Sequence, residues 1–292
     1  MTPIQSLEDI ADLFVGKVTK DAPAHNLFEE FTISINDIKE HSLQDVNAEA
    51  KKWIEPKCPE SLYINHGEYI GDGMWHIIEE LTKKPASNRA LYSLINKSDI
   101  IGSGDAAIPS FLIFQTKIID NTLHATVYFR ALEVAKFLRI NLEEIRLRLA
   151  EIQNSITTIT DVRLGIFAFY AYCNAKIEPL VRPNLDRLNS PQLALLLREK
   201  HPNLKKFLDE KSKVGTVIEL ESINLIKEII NCDPPKRLEA SIHIVKLLIQ
   251  DCLAKGEELK LAREKQSDNS TIDELSELFT SSINSLSGAL CE

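Results

Sequence analysis

An α+β fold, a twisted sheet with flanking helices followed by a helical C-terminal region, is predicted by three observations. Apolar and polar residues alternate with period two in several segments of the first 190 or so residues. Helical spacing governs Asn141 to Gln153 and almost every apolar segment after about Leu188. Strand signals become scarce beyond that point. Together these place a sheet domain over residues 1–188 and a helical region over 189–292.

The first strand signal is "NLFEEFTISINDI" (Asn26 to Ile38), where Phe31, Ile33 and Ile35 alternate with polar residues, and the folded part is expected to start there. "WHIIEELTK" (Trp75 to Lys83) has Ile77, Ile78 and Leu81 at helical spacing, and Pro85 with Ser87 ends it. "RALYSLI" (Arg89 to Ile95), "SFLIFQTKII" (Ser110 to Ile119) and "LHATVYF" (Leu123 to Phe129) read as strands, the last two joined by an Asp120-Asn121 turn. "NLEEIRLRLAEIQ" (Asn141 to Gln153) reads as a helix with Asn141 at the N-cap and Glu143 and Glu144 in the first turn, where the dipole favours them. "RLGIFAFYAYC" (Arg163 to Cys173) reads as a further strand. Beyond it, Ser190 as N-cap with Pro191 at the first helical position opens one helix, and "IELESINLIKEII" forms a second. Asp233-Pro234-Pro235 breaks the chain before a longer helix from Arg237 to Glu264. Thr271 and Glu274 form a capping box for a last helix carrying Leu275, Leu278, Phe279 and Ile283 on one face.

Composition excludes several classes. A formal charge of −9 argues against broad binding to nucleic acid or anionic membrane, because counterion release needs clustered Lys and Arg. No apolar run approaches the ~18 residues of a spanning helix, and the N-terminal stretch "MTPIQSLEDIADLF" lacks the form of a leader, so a cytoplasmic protein is expected. The five cysteines are scattered and form no C-x-x-C pair, and the seven histidines are equally dispersed, so neither a disulfide framework nor a metal site is expected. No P-loop or G-x-G-x-x-G is present.

The tripeptide Pro109-Ser110-Phe111 poses the functional question, since a proline ahead of a small nucleophilic residue suits an active-site turn. "SNRALYSLINKSDIIGSGDAAIPSFLIFQ" (Ser87 to Gln115) resembles the segment of thymidylate synthases and their hydroxymethylase relatives in which a Ser-Arg-Arg strand leads to a Pro-Cys-His turn and a Gln-containing strand. "VYFRALEVAKFLRIN" resembles that family's Gln-Arg-Ser-x-Asp segment followed by Phe-Asn, with Arg130 and Asn141 eleven residues apart and Gln115 five after Ser110, as in the family. "AFYAYCNAKIEPL" is similar to a degraded Ala-His-x-Tyr-x-Asn-His segment. The resemblance covers about residues 26–185 and leaves the C-terminal hundred without a counterpart.

The resemblance implies a phosphate site at Arg130, with Arg89 reaching from a second subunit and Asn88 in place of the other such arginine. Guanidinium forks suit phosphate oxygens. It also implies a homodimer paired through the outer face of the sheet, with Asn141 and Gln115 on the base side and Tyr172 at the family's tyrosine position. Asn141 also reads as a plain helix cap. The chemistry departs from the family. Ser110 replaces the nucleophilic cysteine, Phe111 the neighbouring histidine, Ala131 the serine, Glu133 the aspartate and Tyr170 the histidine. A serine hydroxyl without a positioned base is a poor nucleophile. Glu49 and Trp53 match the family's glutamate and tryptophan helix only loosely and otherwise read as an amphipathic surface helix. Cys173, on a strand lining the same cavity, reads as an inert core residue.

The function these residues imply is binding of a pyrimidine (deoxy)nucleotide without the usual methyl transfer, with no cofactor required. Two alternatives stand beside it. One is a folate-dependent methyl or hydroxymethyl transferase with altered catalytic groups, and the other is a dimeric scaffold without a ligand. The C-terminal helices offer a surface for a protein partner.

Overall fold

The computed structural model describes residues 2–101, 104, 106–174, 180–199, 202–213, 217–265 and 269–291. The chain divides into two compact units. A sheet unit comprises Met1–Pro59, Ile64–Ser103 and Ile108–Pro179, and a helical unit comprises Glu60–Tyr63, Gly104–Ala107 and Leu180–Glu292. The fold is mixed α+β.

The sheet unit runs β1 (Thr2–Pro3), α1 (Leu7–Lys17), β2 (Ala24–Ser34), α2 (Ile35–Glu40), α3 (Asn47–Trp53), α4 (His66–Ile70), α5 (Gly73–Lys83), β3 (Leu91–Ser93), α6 (Lys97–Ile100), β4 (Phe111–Ile119), β5 (Thr122–Phe129), β6 (Leu132–Glu133), α7 (Phe137–Ser155) and β7 (Asp161–Tyr172). Its seven strands form one open mixed sheet in the order β1-β2-β7-β5-β4-β3, with β6 added beside β7. β7 runs parallel to β5 and antiparallel to β2. The β4–β5 hairpin closes through Asp120 and Asn121, both at positive φ, the backbone a two-residue hairpin needs.

Alternation along the strands sends one set of side chains inward. Phe31, Ile33, Phe114, Leu123, Val127, Val162, Leu164 and Ile166 pack with Leu138, Leu142, Ile145, Leu149 and Ile152 of α7 in a single core. The other set faces outward, where Phe28 and Phe169 remain about half exposed and Ile113 and Leu91 partly so.

The folded part starts earlier than Asn26. α1 puts Leu7, Ile10 and Phe14 at zero exposure, with Ser6 and Asp9 forming a capping box. The strand read over Arg89–Ile95 shortens to Leu91–Ser93. α7 begins four residues before Asn141, so Asn141 is not its cap, and Glu143 and Glu144 sit in its second turn, buried. The reason is Glu133, whose carboxylate accepts from the backbone N–H groups of Ala135, Lys136, Phe137 and Asn174 and so takes the capping role. Trp53 is 2% exposed, which corrects the surface reading of its helix.

The helical unit contains a 3₁₀ turn (Asn184–Arg187), α8 (Ser190–Glu199), α9 (Pro202–Lys211), α10 (Glu221–Cys232), α11 (Ile242–Glu264) and α12 (Asn269–Cys291). Its core joins Leu193, Leu197, Leu208, Ile223, Ile226, Ile249, Phe279 and Ile283. Gly256 lets α11 approach closely, since a Cβ there would lie 2.9 Å from the Phe279 ring and 2.6 Å from Leu220. Asn189, not Ser190, caps α8 by a reciprocal exchange with Gln192. α11 starts at Ile242 instead of Arg237, and α12 starts at Asn269, which places Thr271 inside its first turn. Leu278 faces solvent. Residues 175–179 of the "AFYAYCNAKIEPL" segment and 266–268 of the polar link lie outside the described residues.

Candidate functional site

The site is built on the end of the β4–β5 pair, the start of α7 and the helices α3 and α4 that pack on it. Arg130 follows β5, and its backbone N–H donates to Ser110 O. Its guanidinium turns back along the same loop, donating from Nε to Pro109 O and from Nη2 to Ile108 O, each at 3.1 Å. Half of the fork therefore holds the Ile108-Pro109-Ser110 turn in place, and Nη1 keeps its N–H groups for another partner. Burial lowers the Arg130 pKa from its ordinary value while the nearby Tyr172 phenol opposes that shift. An arginine stays charged under such a shift. Burial also raises Tyr172 to about 12, reinforced by the Glu133 charge and Tyr170.

Ser110 is half-buried, and its hydroxyl makes no hydrogen bond among the described residues. The next residue, Phe111, is fully buried, with its ring 5.1 Å from Phe129 and edge-on to His66 at 5.6 Å. It is a core residue and carries no proton chemistry. Cys173 is half-buried and packs against the sheet core.

Asn141 lies in α7 at 6% exposure, and its amide has no hydrogen bond among the described residues. Gln115 is on the outward face of β4, donating to Asn88 O at 3.0 Å. Asn141 belongs to the helix-covered side, so the sheet itself separates these two residues. Arg89 precedes β3 at the sheet margin, exposed, with its guanidinium unpaired among the described residues and its carbonyl accepting from His76 Nε2. The structure thus gathers Ser110, Arg130 and Tyr172 at one end of the central strands and leaves Arg89 and Gln115 elsewhere.

A second group, unforeseen in the sequence, adjoins the first through Phe111. His66 Nδ1 is 2.6 Å from Glu144 Oε2, both sealed from solvent. The Trp53 ring lies 4.7 Å from the His66 ring and 6.3 Å from Phe137. Burial is the main cause holding the Tyr92 phenol far above its ordinary pKa; the Arg148 charge, one turn after Glu144, opposes that shift and the Glu144 charge adds to it. Asn65 sets His66 in position by capping α4 and by donating to Lys52 O and Glu55 O. The sequence signal was available in part. With Leu142, Ile145, Leu149 and Ile152 taken as the buried stripe of α7, the charged residues between them read as a solvent face, yet Glu143, Glu144, Arg146 and Arg148 are each at or below 7% exposure. α7 is covered on both sides, by the sheet and by α1, α2 and α3.

Among the described residues no group of three or more His, Cys, Asp or Glu could hold a metal ion, and no helix is long and apolar enough to cross a membrane. No protein-family model matches the chain, and no curated protein matches it.

Proposed function

We propose that the sheet unit binds a pyrimidine (deoxy)nucleotide in the manner of a thymidylate synthase-like protein and does not carry out that family's methyl transfer. The observation that carries the reading is Asn141, an amide 6% exposed with no protein hydrogen bond. That amide offers a donor and an acceptor uncommitted among the described residues, which a ligand can use. Arg130 supports it from the other end, with N–H groups uncommitted among the described residues beside Tyr172. The missing methyl transfer follows from chemistry. The Ser110 hydroxyl has no hydrogen-bonded base among the described residues, and Phe111 is committed to the core. The alternative of a folate-dependent transferase gains no support from these contacts.

The same reading takes the functional form to be a homodimer paired through the outward sheet face. Phe28, Phe167, Tyr128 and Ile113 lie side by side across β2, β7, β5 and β4, an apolar row spanning four strands. Tyr128 and Phe167 stack at 5.2 Å. Exposed apolar patches of this kind mark interaction surfaces. Arg89, exposed and with its guanidinium unpaired among the described residues, can reach a partner's phosphate.

The test is calorimetric titration of the intact chain with dUMP, dCMP and dTMP, repeated with Arg130→Ala and Asn141→Ala. Saturable binding that weakens at least ~10-fold in both variants, the loss expected for a charge-assisted or buried hydrogen bond, is the expected result. Absence of binding by the intact chain removes the nucleotide reading and leaves the dimeric scaffold.

A further inference from the structure

Besides Glu49 Oε1, whose residue is only half-buried, four side chains of the sheet unit hold polar atoms that are sealed from solvent and have no hydrogen-bond partner among the described residues: Trp53 Nε1, Tyr92 Oη, Glu144 Oε1 and Arg148 Nε. All four residues are more than nine-tenths buried. They are also neighbours. The Trp53 ring lies against His66, His66 binds Glu144, and Glu144 and Arg148 share one face of α7 and both act on the Tyr92 phenol. Native interiors pair nearly all such atoms, so four orphans in one place call for an occupant.

The chemistry of the set is specific. Its acceptor, Glu144 Oε1, lies between donors. Asn141 precedes it by three residues on the same stripe of α7, with Trp53 on that side, and Arg148 follows it by four, with Tyr92. Residues at such spacing are neighbours on a helix surface. Read along α7 the order is donor, acceptor, donor. The group that complements this order presents a carbonyl, a ring N–H and a second carbonyl along one edge. His66 acts as a positioning residue, because occupying Oε2 from its Nδ1 side keeps the carboxylate oriented with Oε1 available.

We infer that Glu144, Arg148 and Trp53, with Asn141, are the specificity-determining residues for the base, accepting from its ring N–H and donating to the flanking carbonyls. This rests on the nucleotide reading above and transfers to α7 the role expected of Gln115. A base with an amino group in place of a carbonyl presents the wrong order and is selected against.

The experiment uses the full chain carrying Trp75→Phe. Trp75 is 62% exposed and is the second of the two tryptophans, so emission then reports on Trp53 alone. The probes are dUMP, N3-methyl-dUMP, dCMP and uridine, with and without Arg130→Ala. Neither the probe set nor these substitutions disturbs the buried cluster, so the test does not depend on whether Glu144→Gln folds. The expected result is a change in Trp53 emission with dUMP and uridine, and affinity at least ~10-fold lower for N3-methyl-dUMP and dCMP than for dUMP. Arg130-dependent binding of dUMP in which Trp53 is silent and N3-methyl-dUMP is equally good overturns this inference and leaves the nucleotide reading intact, with the orphaned atoms holding internal water only. N3-dependent binding of uridine and dUMP alike, indifferent to Arg130→Ala, keeps the cluster and overturns the phosphate site. Silence with every probe overturns both.

Discussion

Glu143 and Glu144 are successive residues of α7 at zero exposure, and they point to opposite fates. Glu143 is fully used. It pairs with Arg146 through two bonds of 2.8 Å and accepts from Leu43 N and the Asn47 amide, while Arg146 also donates to Ile38 O. Glu144 binds His66 with one oxygen and leaves the other unbonded. A satisfied carboxylate belongs to the architecture, whereas a half-satisfied one is where a ligand has something to add.

Glu143→Ala strands the Arg146 guanidinium and removes the acceptor that ties the 43–47 loop to α7. Breaking a buried pair from one side costs about 3–5 kcal/mol, because an uncompensated charge stays behind. Urea unfolding followed by circular dichroism is expected to show a loss of that size. The double change Glu143→Leu with Arg146→Met is expected to recover most of it, and equal losses in both variants would contradict the pairing argument.

Within the helical unit, Lys211 and Asp186 form a second buried pair. The Asp186 carboxylate also accepts from Ser222 Oγ and, at 3.0 Å, from Tyr63 Oη, and Lys211 Nζ reaches Glu219 O. Asp186→Ala therefore leaves an ammonium at 2% exposure with one partner fewer. A loss of about 3–5 kcal/mol is expected. Tyr63→Phe removes a single neutral donor and is expected to cost about 1–2 kcal/mol. If the two variants unfold at the same urea concentration, the carboxylate is not the hub of this network.

Alkaline pH supplies a third expectation. Tyr172 has a pKa of about 12 against an ordinary value of 10.0, chiefly from burial, and Tyr63 and Tyr92 are raised further in the same direction. The fold thus favours the neutral phenol. That contribution is complete below pH 10 and is lost as pH rises through the folded value. Tyr69 is also raised by burial, so a spectroscopic titration of phenolate is expected to show four of the six tyrosines ionising late, Tyr63 and Tyr92 only with unfolding. Tyr172→Phe is expected to flatten the fall in stability between pH 10 and 12. Six tyrosines ionising together near pH 10 in the folded chain would exclude the buried placement.

Much of the fold was legible because alternation and turn chemistry are local. β4, β5 and β7 lie within two residues of where period-two patterning put them, and Asp120-Asn121 makes the turn its residue types imply. What escaped was set by distant contacts. Glu133 caps α7 from outside the helix, which moved the start four residues ahead of Asn141. Buried charges on α7 look like a solvent face until helices on its far side cover them. The candidate site divides in the same way. Ser110, Arg130 and Tyr172 are held by the ends of adjoining strands, so spacing along the chain carries them together, while His66 and Trp53 join Glu144 only through the packing of short helices that have no periodicity to read.

The outward sheet face gives the last expectation. Phe28 is 53% exposed, and its ring covers Gly165, where a Cβ would lie 3.2 Å from it. A large aromatic held against a flat strand with no side chain beneath it is placed to meet a partner surface, and aromatic residues of this kind dominate interface energetics. The next row on this face, Glu30, Gly165, Thr126 and Gln115, carries no large apolar side chain, and the row beyond it, Thr32, Arg163, His124 and Lys117, is polar and basic, so the apolar row forms a bounded stripe. Two copies related by a two-fold axis would cross their stripes, each burying the other's. Phe28→Asp puts a charge into that contact and keeps the β2 backbone pairing. Sedimentation equilibrium is expected to show the dimer dissociation constant raised by about 30-fold or more, equivalent to loss of ~2 kcal/mol at one hot-spot residue. Val15→Asp, a similarly exposed apolar position on α1 at 50%, is expected to leave the association unchanged. Equal behaviour of the two variants would place any dimer contact away from the sheet.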